Sequence, residues 1–253
     1  MTRTAILLAL ALLAAMPAAS AQNRPAPRPA APAPAPARAE PPSAESAYAA
    51  YQRGQYLTAF KLATERVEAV ADPASMVLLG ELHAAGIGIP QNEERAIGWY
   101  RLAADRGDRN AIFALGMLHI EGRAGQTRDP ALARPFFEKA AGLGHLAAAY
   151  NLGLLALGGH GGERDPALAA RWFQQAADLG NVDAQYAFAV LLKDGNGIAA
   201  DLPRAASYME RAAKQDLLEA MIDFAVMLFN GQGTPKDETR AAALFRRAAL
   251  RGN

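Results

Sequence analysis

The chain has 253 residues, of which 51% are hydrophobic and 20% are charged, and it contains no cysteine. Its 26 basic and 25 acidic residues give a formal net charge of +1, which excludes nucleic-acid binding driven by bulk charge. The absence of cysteine excludes disulfides, zinc–thiolate sites and thiol nucleophiles. The apolar fraction is high enough for most of the chain to form a folded core.

Residues 1–21 have the pattern of a secretory signal peptide. A short positive start at Arg3 precedes a continuous apolar run from Ala5 to Ala15, and Ala19-Ser20-Ala21 supplies the small residues of a cleavage site. The apolar run is too short for the ~20 residues that span a membrane. We therefore predict cleavage after Ala21, no membrane span after cleavage, and a periplasmic or secreted bacterial protein.

Residues 22–45 are rich in proline and alanine. Eight of the 16 prolines lie between Gln22 and Ser43. Because proline fixes φ and lacks an amide donor, this segment favours extended polyproline II over helix or sheet. We predict a disordered linker that holds the rest of the chain at a distance.

From residue 73 onward the sequence repeats every 36 or 37 residues. A large residue recurs in each unit, followed by a second bulky residue and, four positions after the first, by an Ala-Ala pair. The large residues are Trp99, Phe136, Trp172, Tyr208 and Leu244. A Leu-Gly type step precedes each of them, at Leu79-Gly80, Leu115-Gly116, Leu152-Gly153, Phe188-Ala189 and Phe224-Ala225. These registers define five units, at 73–108, 109–145, 146–181, 182–217 and 218–253.

Each unit has the pattern of two helices. The first contains the Leu-Gly step and ends in a glycine loop, and the second begins after an N-cap residue and contains the Ala-Ala pair. The predicted N-caps are Asn92, Asp129, Asp165, Asp201 and Asp237. Residues 46–72 predict one further, degenerate hairpin. Since strand alternation is absent and the small residues let helices approach closely, the pattern predicts an all-α solenoid of stacked hairpins.

The string Leu-Gly, Gly-x-Gly, Asp, Trp-Tyr, Ala-Ala, Gly resembles the Sel-one-like repeat (SLR), a relative of the tetratricopeptide repeat. The resemblance covers residues 73–253, and residues 46–72 resemble an ordinary tetratricopeptide hairpin. It implies a right-handed α/α solenoid that acts as an adaptor or regulator by binding other proteins. Some bacterial relatives are cysteine-rich and have been linked to penicillin binding or β-lactamase activity, and the chain departs from these because it has no cysteine.

The candidate binding surface is a groove lined by the first helices, which usually form the concave face of such a solenoid. Alignment of the Leu-Gly step with the tetratricopeptide pattern assigns partner-binding positions in each unit, among them Glu81 in the first unit. The predicted groove residues are Phe113, Met117, Glu121, Tyr150, Leu154, Tyr186, Val190, Lys193, Ile222 and Phe229. An apolar, aromatic strip of this kind suits an amphipathic helix or an extended peptide, although such stripes are also typical of core.

We therefore expect a protein-interaction scaffold and not an enzyme, with no metal or cofactor. His83 and His119 share one repeat position, where a packing role is the simpler interpretation than a metal site. Two alternatives stay open: a cell-wall-related or β-lactam-binding enzyme, and a structural envelope protein without a groove ligand. The fifth unit has no polar capping helix after it, so self-association or partner docking is also expected at its exposed face.

Overall fold

The computed structural model describes residues 41–123, 125 and 127–251. The predicted signal peptide and most of the predicted linker lie outside the described residues. The last two residues of that linker, Ala44 and Glu45, form the start of the first helix, because the Ser43 hydroxyl accepts the amide hydrogen of Ser46 and caps the helix there.

All regular structure in the described residues is helical, as the sequence predicts. Consecutive helices pair as antiparallel hairpins, and each hairpin packs on the next to form a solenoid. The helices are α1 (Ala44–Gln52), α2 (Tyr56–Val70), α3 (Pro73–Ala85), α4 (Glu93–Asp105), α5 (Arg109–Glu121), α6 (Pro130–Gly142), α7 (Leu146–Gly158), α8 (Pro166–Asp178), α9 (Val182–Asp194), α10 (Leu202–Lys214), α11 (Leu218–Asn230) and α12 (Glu238–Arg251). The odd-numbered helices are the first helices of their hairpins.

Side-chain caps set where the second helices begin. In all five repeat units the predicted Asn or Asp accepts a backbone amide hydrogen of the first helical turn, at 2.8–3.0 Å. Each such bond satisfies a helix-end donor that would otherwise lack a partner. The predicted N-caps are confirmed. The caps of the first helices were not predicted: Asp72, Asp108 and Asn181 accept amide hydrogens there, and His145 Nδ1 accepts the amide hydrogen of Ala148 at 3.1 Å.

The glycine of the Leu-Gly step allows a close approach of the two helices in a hairpin. A Cβ added at Gly153 would lie 2.4 Å from Cε1 of Phe173, whose ring is fully buried. The equivalent Gly116 is similarly close to Phe137, and Gly80 to Tyr100. The second bulky residue of each of these units therefore fills the space that the missing side chain leaves.

The second glycine of the Gly-x-Gly loop contacts the preceding hairpin. Gly197 has a φ of +76°, and a Cβ there would lie 2.2 Å from the carbonyl carbon of Pro166 at the start of α8. In the second repeat unit the loop is one residue longer. Its Gly125 keeps a positive φ of +74° but has no atom within 4 Å of an added Cβ, so the longer loop lacks this contact.

The buried core runs along the stack in two groups that share neighbours. One group is formed by α1, α2 and α3, and the other extends from α3 to α12. Val67 and Trp99 pack against both groups, which joins the first hairpin to the five repeat units. At the last unit the pattern changes: Phe245 of α12 is 39% exposed, whereas the equivalent Phe137 and Phe173 are fully buried.

Candidate functional site

The predicted groove residues all lie on first helices of the repeat units, and none of them is fully buried. Phe113, Met117 and Glu121 are on α5, Tyr150 and Leu154 on α7, Tyr186, Val190 and Lys193 on α9, and Ile222 and Phe229 on α11. Leu154, Ile222 and Phe229 expose 40–50% of their surface. The first helices thus present a row of apolar side chains that their neighbours leave uncovered, and we call this surface the groove.

An apolar cavity of about 410 Å³ opens into the groove between α7 and α9. Its walls include Leu154, Leu157 and Val190, and the buried ring of Phe173 from α8 lies against Tyr150 at a centroid distance of 5.6 Å. Burial raises the pKa of the Tyr150 hydroxyl, and the negative charge of Asp183 raises it further. The cavity is therefore lined mainly by apolar side chains, and its polar groups are the hydroxyls of Tyr150 and Tyr186 and the carboxylates of Asp183 and Glu219.

A polar network that crosses from α9 to α11 borders this cavity. The hydroxyl of Tyr186 donates to Oδ2 of Asp223 at 3.3 Å, and Nζ of Lys193 lies 3.8 Å from the same oxygen. Burial and the Asp223 carboxylate both raise the pKa of Tyr186. Sequence reasoning identified Tyr186 and Lys193 but missed Asp223, which lies one residue after the assigned groove position Ile222 and whose partners are in the preceding unit.

A second cavity, of about 380 Å³, lies between α3 and α5. Phe113 and Met117 line it, and Phe113 also stacks on His145 with a centroid distance of 4.3 Å and an interplanar angle of 21°. Burial, followed by the positive charge of Arg109, lowers the pKa of His145. Because Phe113 also lies 5.4 Å from the buried ring of Phe137, it serves both the core and the groove.

Several ionisable side chains line this second cavity. Arg123 donates to Glu93 at 3.0 and 3.1 Å and to Glu121 at 3.2 Å. Burial raises the pKa of the Glu81 carboxyl, and it raises that of Tyr100 to about 12, with Glu81 adding to the effect on Tyr100. Alignment of the first helices identified Glu81 and Glu121. It did not identify Glu93, Tyr100 and Arg123, which come from a second helix and a loop.

A cavity of similar size, about 380 Å³, lies between the second helices α4 and α6 over α5. Ile112, Leu115 and Phe136 form apolar walls, and Arg101 and Lys139 also line it. No predicted groove residue lines this cavity, because the sequence analysis assigned binding to the first helices alone.

The two histidines at the shared repeat position pack against aromatic rings. His83 is 6% exposed and lies edge-on to Phe60, and His119 stacks on Phe136. Within residues 41–123, 125 and 127–251, no three histidine or acidic side chains come close enough together to hold a metal ion. The helices described for these residues are all too short or too polar to cross a membrane.

Comparison with known proteins identifies the repeat. The family model described as Sel1 repeat matches residues 73–108, 109–145, 146–181, 182–217 and 218–253. Among solved structures, a Sel1 repeat protein from Oxalobacter formigenes is 29% identical with a TM-score of 0.71, and the match covers 83% of each chain. A protective antigen of uropathogenic Escherichia coli strains, which displays an SLR fold, is 26% identical with a TM-score of 0.74.

The match to the Escherichia coli antigen covers 83% of the present chain but only 46% of the antigen. An immunity protein from Pseudomonas aeruginosa shares the fold at 19% identity, with a TM-score of 0.53 and coverage of 81% and 80% of the two chains. No curated protein sequence matches the chain. These likenesses identify the repeat and the fold and leave the partner open.

Proposed function

The chain belongs to the Sel1 repeat family, and we propose that it is an exported interaction scaffold whose groove binds a peptide or helix of a partner protein. Repeat proteins of this kind bind proteins, and they are generally scaffolds and not enzymes. In this proposal the chain is periplasmic or secreted, and residues 22–43 are a linker that precedes the solenoid.

The observation that carries the proposal is the uncovered apolar row on the first helices. Leu154, Val226 and Phe229 are 40–50% exposed although they lie on helices whose neighbouring positions are buried. Large apolar side chains that are exposed along the same face of a repeat protein, with a largely apolar cavity at one of them, Leu154, are typical of a protein-binding surface. Tyr150 and Tyr186 add hydroxyl groups that can pair with the backbone of a bound segment.

The test compares groove and non-groove substitutions of matched exposure. Leu154→Ser in the groove is paired with Leu102→Ser on α4, because the two leucines are 40% and 43% exposed. We prefer these to alanine substitutions of Phe113, Tyr150 and Tyr186. The rings of Phe113 and Tyr150 contact the buried Phe137 and Phe173, so their removal would also disturb the core.

The assay is affinity capture from a periplasmic extract of the source bacterium with the full chain and the two variants. The proposal predicts a partner that the natural chain and Leu102→Ser capture and that Leu154→Ser loses, with unchanged helical circular dichroism. A partner that all three proteins capture equally would place the interaction outside the groove and overturn the proposal.

A further inference from the structure

The cavities between α3 and α5 and between α7 and α9 occupy equivalent places in the repeat, two units apart. The same register that places Leu154, Phe173 and Val190 in the second cavity places Glu81, Tyr100 and Met117 in the first. Equivalent backbone positions therefore carry Leu154 and Phe173 in one recess where the other carries Glu81 and Tyr100. The difference in chemistry lies in the side chains and not in the fold.

Glu81 is the carboxylate of this recess that lacks a counter-ion. Arg123 is held by Glu93 on one side and by Glu121 on the other, through three hydrogen bonds. In the part of the chain that the structure describes, no lysine, arginine or histidine forms an ion pair with Glu81. The charge that acts on the Glu81 carboxylate is the carboxylate of Asp108, and this like charge raises the pKa of Glu81 further.

The rest of the recess is suited to an aliphatic or aromatic contact. Val77, Ala84, Phe113 and Met117 line it together with the ring of Tyr100. A long cationic side chain buries its methylene stem on apolar surface and keeps its head group on a charge partner. Aromatic faces also attract cations when water is excluded, and Tyr100 and Phe113 supply such faces. A volume of about 380 Å³ is far larger than a bare metal ion needs.

We propose that this recess, here the cation pocket, receives a lysine or arginine side chain of the segment that binds in the groove. The ammonium or guanidinium group pairs with Glu81, and the stem lies against Val77, Phe113 and Met117. The inference rests on the proposed function and adds to it the chemistry of the partner: a basic residue at one end and an apolar residue at the other.

The repeat also sets the approximate distance between the cation pocket and the recess at Leu154, which receive the basic and the apolar residue of the bound segment. With helices packed about 10 Å apart, two units separate the pockets by about 20 Å. An extended segment advances about 3.3 Å per residue, so the basic and apolar residues are about six positions apart. A helical segment would need about 13 residues for the same distance.

The experiment uses a random twenty-residue peptide library displayed on phage, selected against the full chain. We expect the selected peptides to share a lysine or arginine that lies about six positions from a large apolar residue in an extended peptide, or about 13 positions from it in a helical one. A selected peptide and its version with norleucine at the basic position are then titrated by fluorescence anisotropy. The proteins are the natural chain, Glu81→Gln, Leu154→Ser, and the matched control Glu94→Gln, an exposed glutamate of α4 that does not line the cavity.

Glu81→Gln should weaken the basic peptide about tenfold or more, while Glu94→Gln leaves its affinity unchanged. The norleucine peptide should bind the natural chain and Glu81→Gln equally. If Leu154→Ser abolishes binding but Glu81→Gln does not change it, the cation pocket is wrong and the groove stands. If neither substitution matters, or the library yields no binder, the proposed function itself is overturned, and the cation pocket with it.

Discussion

The close approach at the Leu-Gly step makes a sharp prediction for Gly153→Ala. Replacing a glycine inside a helix by alanine normally stabilises a protein by about 0.5–1 kcal/mol, because alanine loses less backbone entropy on folding. At Gly153 the new Cβ would lie 2.4 Å from a ring carbon of Phe173, which is fully buried, so the ring or the two helices would have to shift. Overpacking of this kind costs about 1–3 kcal/mol. We expect a net loss of about 1–2 kcal/mol in the free energy of unfolding.

The fourth repeat unit shows how the same clash can be relieved. At the positions equivalent to Gly153 and Phe173 it has Ala189 and Met209, and both are fully buried. A flexible methionine can adapt to the added methyl group where a phenylalanine ring cannot. Phe173→Met alone should cost about 1 kcal/mol through lost packing. The double variant Gly153→Ala/Phe173→Met should be more stable than the sum of the two single changes implies.

Urea denaturation followed by far-ultraviolet circular dichroism measures these differences. The control is Gly98→Ala on α4, where an added Cβ has no atom within 4 Å, and it should raise the midpoint of unfolding. The reasoning is refuted if Gly153→Ala raises the midpoint as Gly98→Ala does. It is also refuted if the double variant is no more stable than the sum of the single costs predicts.

The other predictions follow from single features of the structure. Gly197→Ala should lower the free energy of unfolding more than Gly125→Ala in the same denaturation assay, because both strain a positive φ but only the first clashes with the preceding hairpin. Burial holds the pKa of Glu81 above its ordinary value of 4.5, so its ionisation disfavours the folded state. Glu81→Gln should therefore be more stable than the natural chain at pH 7, and this gain should disappear as the pH falls below the ordinary carboxyl pKa, as urea titrations at several pH values will show. Amino-terminal sequencing of the exported protein should begin at Gln22. The sedimentation coefficient should rise with concentration for the natural chain but not for Phe245→Asp, and a natural chain that stays monomeric throughout would contradict the expected self-association.

The fold could be predicted from the sequence because each repeat unit contains residues that mark where its helices begin and how closely they pack. A residue such as Asp165 has a local reason to cap a helix, since its side chain reaches a backbone amide three residues ahead at 2.9 Å. The small residues at the Leu-Gly and Ala-Ala positions have an equally local reason, because they set how closely two helices pack. Such interactions recur in each unit, so five copies reinforce one interpretation. His145 is the exception: histidine is not among the residues preferred at an N-cap.

Only part of the candidate site could be predicted from the sequence, as the cation pocket shows. Glu81 lies at an aligned groove position, but the groups that shape its surroundings do not. Tyr100 comes from the second helix, and Arg123 comes from the loop that is one residue longer than the others. The three are brought together by the packing of units 1 and 2, and the one-residue insertion lengthens the loop that carries Arg123 while α5 and α6 keep the usual helix length. Alignment of equivalent positions identifies the residues that all repeat units share and misses the residues that occur in a single unit.

Specificity in this solenoid should therefore come from the departures from the repeat and not from the repeat itself. The Leu-Gly step, the caps and the glycine loops are tied to packing, and a change in any of them alters stability before it alters binding. The groove positions are under weaker packing constraint, and they hold glutamate at Glu81 where another unit holds leucine at Leu154. A half-buried carboxylate without a counter-ion lowers the stability of the free protein, and a basic partner residue would remove that penalty on binding. The opposite effects expected for Glu81→Gln, a more stable protein that binds a basic peptide more weakly, would distinguish a recognition residue from a structural one.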